Sequence, residues 1–245
     1  MDSFHIAIAG TGLFLAGLIK GATGLGYATC ALPFLVFAIG LRPAMALVLI
    51  PAMATNIAVA LTAGHFTEIA RRFAPLYVSM VPGIALGLGI LVWLGSATIA
   101  VPVLGLAIIG YVALSLCRPN ISLSSQAASL LQVPTGFANG ILTGLTGSQV
   151  MPLFPYMMAL DLDPNRLVQA INMAVLLASL LLAVGLLATK IMTTHLLVLS
   201  VLAIIPALLG AELGRRLRAR IPPEKFRTCV LVVLLLMGLL LVVRA

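Results

Sequence analysis

Long apolar runs separated by short polar breaks fill the whole chain. They divide it into ten segments, at about residues 4–19, 25–41, 43–63, 74–94 and 98–117, then 127–145, 148–160, 166–188, 195–213 and 226–243. Most approach the roughly 20 apolar residues that a membrane-spanning helix needs. Segments one, two and seven are shorter, and fit either tilted short helices or the arms of re-entrant hairpins. The one strongly polar linker, Arg118-Pro119-Asn120-Ile121-Ser122-Leu123-Ser124-Ser125-Gln126, leaves five segments on each side. The expected organisation is a first membrane repeat over 1–118, a linker over 119–126 and a second repeat over 127–245, together one integral membrane domain.

Two stretches interrupt the apolar pattern at corresponding places. The first is Lys20-Gly21-Ala22-Thr23-Gly24-Leu25-Gly26-Tyr27; the second is Thr143-Gly144-Leu145-Thr146-Gly147-Ser148-Gln149. Glycine lowers helix propensity by about 1 kcal/mol relative to alanine, so clusters of it break helices. The segment from Gly17 to Gly24 aligns with that from Gly140 to Gly147 at an offset of 123; Pro33 matches Pro155 at 122, and Arg42-Pro43 matches Asp163-Pro164 at 121. Pro82 and Gly87 correspond roughly to Pro206 and Gly210. Such a collinear series marks an internal repeat.

Charge placement bears on its orientation. With loops assigned alternately to two sides, one side collects Arg71, Arg72, Arg118, Arg166, Arg215, Arg216, Arg218, Arg220, Lys225 and Arg227. The other has only Arg42, Lys190 and Arg244. The positive-inside rule makes the first side cytoplasmic and places both termini outside. The loop after segment four, Trp93-Leu94-Gly95-Ser96-Ala97, is uncharged, whereas its counterpart after segment nine is the arginine cluster. Equivalent loops thus fall on opposite sides. The predicted fold is an all-α polytopic membrane protein, an inverted repeat of five hydrophobic segments each, with broken or re-entrant segments at the start of each repeat.

Composition agrees. Of 245 residues 62% are apolar and 8% charged, with mean hydropathy +1.22, far from the roughly 25% charged of soluble domains. The net charge of +8 reflects loop arginines, not a nucleic-acid surface; Arg215, Arg216, Arg218 and Arg220 are candidates for contact with anionic lipid headgroups. Cys30, Cys117 and Cys229 lack any paired or metal-ligand spacing and read as small buried hydrophobes. No cofactor is expected. The N-terminus has no basic region or small-residue cleavage site, and reads as an uncleaved first membrane segment.

Paired helix breaks in an inverted repeat point to a transporter site near the bilayer midplane. Broken helices expose N–H groups and a positive dipole end that suit an anion, and Lys20 adds a full charge. The candidate substrate-binding set is Lys20, Thr23, Gly24, Gly26, Tyr27, Asn56, Thr146, Gly147, Ser148, Gln149, Gln169 and Asn172. Gln169 and Asn172, three apart, share a helical face. Blander readings stand beside these: glycines that let helices pack closely, a Lys20 that snorkels to the interface, and asparagines that bond other helices. His65, Glu68, Lys190 and His195 read as solvated segment ends, Asp163 as a helix cap before Pro164, and Glu212 as an ion-pair partner of Arg215 and Arg216.

The glycine breaks and prolines, with Asp163-Pro164, Gln169-Ala170-Ile171-Asn172 and Gly185, and in the first half Pro51, Thr55-Asn56 and Gly64, resemble the sulfite exporter TauE/SafE family. The resemblance spans nearly the full length. It implies a bacterial or archaeal cytoplasmic-membrane transporter of sulfite, sulfoacetate or a related sulfonate. Gly24-Leu25-Gly26 and Gly147-Ser148-Gln149 depart from the family's run of consecutive glycines, and the second break is the more polar. An anion channel built on the same breaks is the alternative. An intramembrane enzyme is disfavoured, because Ser148 lacks a nucleophile-elbow context. The coupling ion, proton or sodium, and a homo-oligomeric state are left open.

Single cysteines substituted for Arg42 and Arg218 should react with an impermeant maleimide from opposite faces of the membrane. Labelling of both from one face would contradict this topology.

Overall fold

In hydrocarbon an uninterrupted helix satisfies its own backbone donors and acceptors, so long apolar runs become helices. The computed structural model describes residues 3–23, 26–62, 65–117, 122–218 and 223–243, and their side chains except at 3–7, 23, 58–62, 218 and 223–227. Gly24, Gly64, Arg118 and Arg220, with the side chains of Thr23 and Arg218, lie outside the described residues.

The described residues form twelve helices and no strand: α1 (Ser3–Thr23), α2 (Tyr27–Ile39), α3 (Leu41–Thr62), α4 (Phe66–Arg72), α5 (Ala74–Trp93), α6 (Ala100–Cys117), α7 (Ser125–Thr146), α8 (Leu153–Met158), α9 (Pro164–Ala188), α10 (Thr194–Leu202), α11 (Ile204–Arg218) and α12 (Pro223–Val243). Four are long and apolar enough to cross a membrane: α5, α6, α9 and the nearly continuous stretch Thr194–Leu217. Shorter apolar helices cover Ile8–Ala22, Tyr27–Ile39, Leu41–Ile57 and Thr228–Val243. The chain is a multi-pass helical membrane protein. Its outward faces carry large apolar side chains, such as Val78, Leu130 and Val184, which lipid rather than water covers.

Three elements differ from the hydropathy reading. The polar stretch before segment four forms α4, with Glu68 in its first turn and Arg71 and Arg72 in its last, each opposing the helix dipole. Segment seven is helical only over the six residues of α8. Segment nine turns at Ala203, because Pro206 has no N–H for the Leu202 carbonyl. Cys30 is buried as expected, but Cys117 and Cys229 are exposed, on helix faces turned away from the core. Elsewhere the local chemistry follows expectation. Asp163 caps α9, accepting from the N–H groups of Asn165 and Arg166 at 3.1 Å each; the Arg166 N–H leads in holding its carboxyl below the ordinary range. Glu212 takes Arg215 and Arg216 at 2.8 and 2.7 Å.

Two helix pairs pack backbone to backbone. Along α1 and α11, Gly17 meets Ala207 and Gly21 meets Ala211, while Phe14 meets Gly210 and Leu18 meets Gly214. Residue numbers rise together, so the helices run parallel. Along α5 and α7, Gly83 meets Phe137 and Gly87 meets Ile141, while Met80 meets Gly140 and Ile84 meets Gly144; these too are parallel. Without a hydrophobic force between helices in lipid, close approach over small residues is what holds such pairs. Between them α3 crosses α9, and α6 lies against α12. α2 folds back along α1, with Phe34 packed on Gly12. At one end of the bundle Glu68 binds Arg166 at 3.3 Å and Gln132 donates to the Arg72 carbonyl at 3.2 Å. Arg42 donates to the Leu91 carbonyl at 2.9 Å, near the last turn of α5.

A Cβ at Gly87 would run into the backbone of α7, whereas one at Gly89, on the same helix, meets nothing within 4 Å. Gly87→Ala should therefore destabilise the protein by about 1–3 kcal/mol through overpacking. Gly89→Ala should be neutral or stabilising by up to about 1 kcal/mol. Thermal unfolding in detergent checks this; equal melting temperatures for the two variants would contradict the packing.

Candidate functional site

Both glycine interruptions end a helix where the backbone leaves the region open to other residues. Gly26, just before α2, has φ 87°, and Gly147, just after α7, has φ 77°; only glycine takes such angles without steric cost. The backbone groups freed beyond α7 need other partners, since buried N–H and C=O groups are almost always paired. The Thr146 hydroxyl donates to the Leu142 carbonyl at 2.6 Å and accepts from the Ser148 N–H at 3.1 Å. The Thr143 hydroxyl donates to the Ser148 carbonyl at 3.1 Å. With its amide nitrogen turned to the loop, Asn139 donates to the carbonyls of Met151 and Gln149 at 3.0 and 3.2 Å.

The two interruptions meet in space. One narrow cleft is lined by Lys20, Gly26, Tyr27, Ala28 and Thr29 from the first, by Gln149, Val150 and Phe154 from the second, and by Asn56 of α3 and Ile171, Asn172 and Val175 of α9. It has room for little more than a water molecule. Lys20, 6% exposed, donates from Nζ to Oδ1 of Asn56 and, at 3.5 Å, to Oδ1 of Asn172. Asn172 gives its own Nδ2 to the Val168 carbonyl at 2.8 Å, which turns its oxygen toward the lysine. Gln149 donates to the Ser179 hydroxyl at 3.0 Å, and Ser179 donates to the Val175 carbonyl at 2.8 Å. The Tyr27 hydroxyl is buried with no hydrogen-bond partner among the described residues.

Among the described residues no carboxylate lines this cleft, and those that hold the lysine are neutral amides. Asn172, Val175 and Ser179 occupy the middle third of α9, itself long enough to span a bilayer. A second, larger and mainly apolar cavity shares Gly26, Thr29, Val150 and Phe154 with the cleft. It continues past Tyr111 and Ser115 of α6 to Val230, Leu231 and Leu234 of α12.

Of the residues expected to bind substrate, Lys20, Gly26, Tyr27, Asn56, Gln149 and Asn172 line the cleft together. Thr146, Gly147 and Ser148 do not; they lie directly behind Gln149, where Thr146 and the Ser148 backbone brace the end of α7. Gln169 is fully buried one turn before Asn172 and outside the lining. Sequence reasoning missed Thr29, Ser179 and Asn139. Ser179 was within reach, because it follows Asn172 by seven positions and so lies two turns along the same face. Asn139 belongs to a buried polar stripe on α7, with Gln132, Thr135, Thr143 and Thr146, whose spacing of three and four is also helical.

The family model of the sulfite exporter TauE/SafE family matches residues 9–241, nearly the whole chain. No curated protein matches, and no solved structure does.

Proposed function

Because the chain belongs to the sulfite exporter TauE/SafE family, a family of membrane transporters for sulfur oxyanions, we propose that it is a secondary transporter that carries sulfite, sulfoacetate or a related sulfonate by alternating access. The anion binds in the cleft between the two interruptions, near the bilayer midplane, and the cleft widens to admit it. The observation that carries this reading is the Lys20 side chain, buried between Asn56 and Asn172 with no acid beside it among the described residues. A buried charge is tolerated when paired and is costly when it is not. Lys20 can therefore carry a charge there only with an anion beside it. Lys20 supplies charge, while Asn56 and Asn172 orient the ammonium. The Tyr27 hydroxyl and the Gln149 amide supply neutral donors to oxyanion oxygens.

The helix packing supports the inverted repeat of 1–118 and 127–245. With direction reversing at each pass, the first helix of one half and the fourth of the other run antiparallel if the halves share an orientation. They run parallel if the halves are inverted, which is the relation found for α1 with α11 and for α7 with α5. Each half thereby lends its first helix to the other, and two rigid pairs can rock about the α3–α9 crossing. The narrowness of the cleft favours a carrier over a channel, since an open pore needs a continuous path. Arg215 and Arg216 remain 71% and 73% exposed despite their pairing with Glu212, which suits contact with anionic headgroups.

Lys20→Met should weaken sulfite or sulfoacetate binding by about 10- to 100-fold, the worth of one hydrogen bond to a charged group. Asn172→Asp should do the same by giving Lys20 an internal counter-ion, without lowering the melting temperature. Uptake into proteoliposomes and binding to purified protein check both; wild-type affinity in either variant would contradict the site.

A further inference from the structure

We infer that Lys20 couples the anion to a proton: its amine is neutral in the empty site, and each anion enters together with one proton and leaves with it. This rests on the anion site proposed above and adds the coupling ion to it.

The argument is a count of donors. A neutral lysine amine has two N–H groups, and an ammonium has three. Two acceptors are in place, Oδ1 of Asn56 and Oδ1 of Asn172, and the Val168 carbonyl fixes the second in its orientation. Both N–H groups of the neutral amine are thus taken by the protein. Protonation adds a third N–H, and among the described residues Nζ makes no bond beyond those two. Lys20 lines the cleft, where an anion oxygen takes that N–H. The charged state of the lysine and the occupied state of the site are therefore one state.

The surroundings leave Lys20 as the group that can carry the proton. α2 presents Tyr27 in the cleft and Cys30 in the adjoining cavity; both would have to become anions, in a site that takes one. On α11, Glu212 is held by Arg215 and Arg216. α3 and α9 contribute Asn56 and Asn172, which do not titrate. Asp163 caps the start of α9, six or more positions before Asn172 like its neighbour Arg166, which pairs with both Asp163 and Glu68.

The cycle balances. On the loading side the amine takes a proton from solution and the anion pairs with the resulting ammonium. On the other side the anion leaves and the proton returns to solution, restoring the amine between its two amides. The empty carrier then reorients without a naked charge in the membrane, which would be expensive.

Calorimetric titration of the purified protein with thiosulfate and with sulfoacetate, in buffers of different ionisation enthalpy between about pH 6 and pH 10, reads the proton directly. Both anions are fully ionised there, so any proton taken up goes to the protein. Uptake approaching one proton per anion is expected on the alkaline side, with affinity falling about tenfold per pH unit over the same range. Lys20→Arg, whose guanidinium does not deprotonate, should bind with no proton uptake and no such slope. If that variant fails to fold, the wild-type slope alone decides. Wild-type binding with no proton uptake and a flat affinity would overturn the coupling and leave the anion site standing. Absence of binding by either anion, or binding unchanged by Lys20→Met, would overturn the site and the coupling together.

Discussion

A lysine drawn into an apolar helical bundle has to find acceptors, because no water in the hydrocarbon will serve it. Here the acceptors are two asparagine amides from different halves of the chain, Asn56 on α3 and Asn172 on α9. That arrangement demands that α1, α3 and α9 converge at one depth, beside the two places where the helices are interrupted. The broken ends supply what a closed helix cannot: Gly26 and Gly147 turn the backbone sharply, and Tyr27 and Gln149 project from the turns into the cleft.

Convergence depends in turn on how closely the outer helices approach. α1 is seated against α11, and α7 against α5, through glycines that leave no room for a Cβ. These contacts place both interruptions at the same point, although they are separated by half the chain. The small residues and the site are therefore one structural problem. Glycine serves packing at Gly17 and Gly21 of α1, and a turn at Gly26 just before α2, within ten residues.

Much of this was legible in the sequence, and for identifiable reasons. Apolar run length reports helices directly when lipid is the solvent, so most of the segments needed little correction. The paired glycine breaks and a lysine among them pointed to the cleft they line together, since both are costly in a membrane without a use. What was not legible came from context. α4 is too short and too charged to register in hydropathy. α8 is a single turn and a half after an extended loop, and apolar composition does not distinguish the two. The role of Thr146 as a brace, not a lining residue, follows from where Ser148 turns. The polar stripe of α7 was readable by period, but its residues are individually ordinary.

Direct sight of the anion tests the central claim most plainly. Crystals grown or soaked with selenite, the heavier analogue of sulfite, would show selenium by anomalous scattering. A single strong peak is expected in the cleft, with its oxygens within hydrogen-bond reach of Lys20 Nζ and facing Tyr27 and Gln149. A peak in the larger apolar cavity instead, or an empty cleft at saturating selenite, would contradict it.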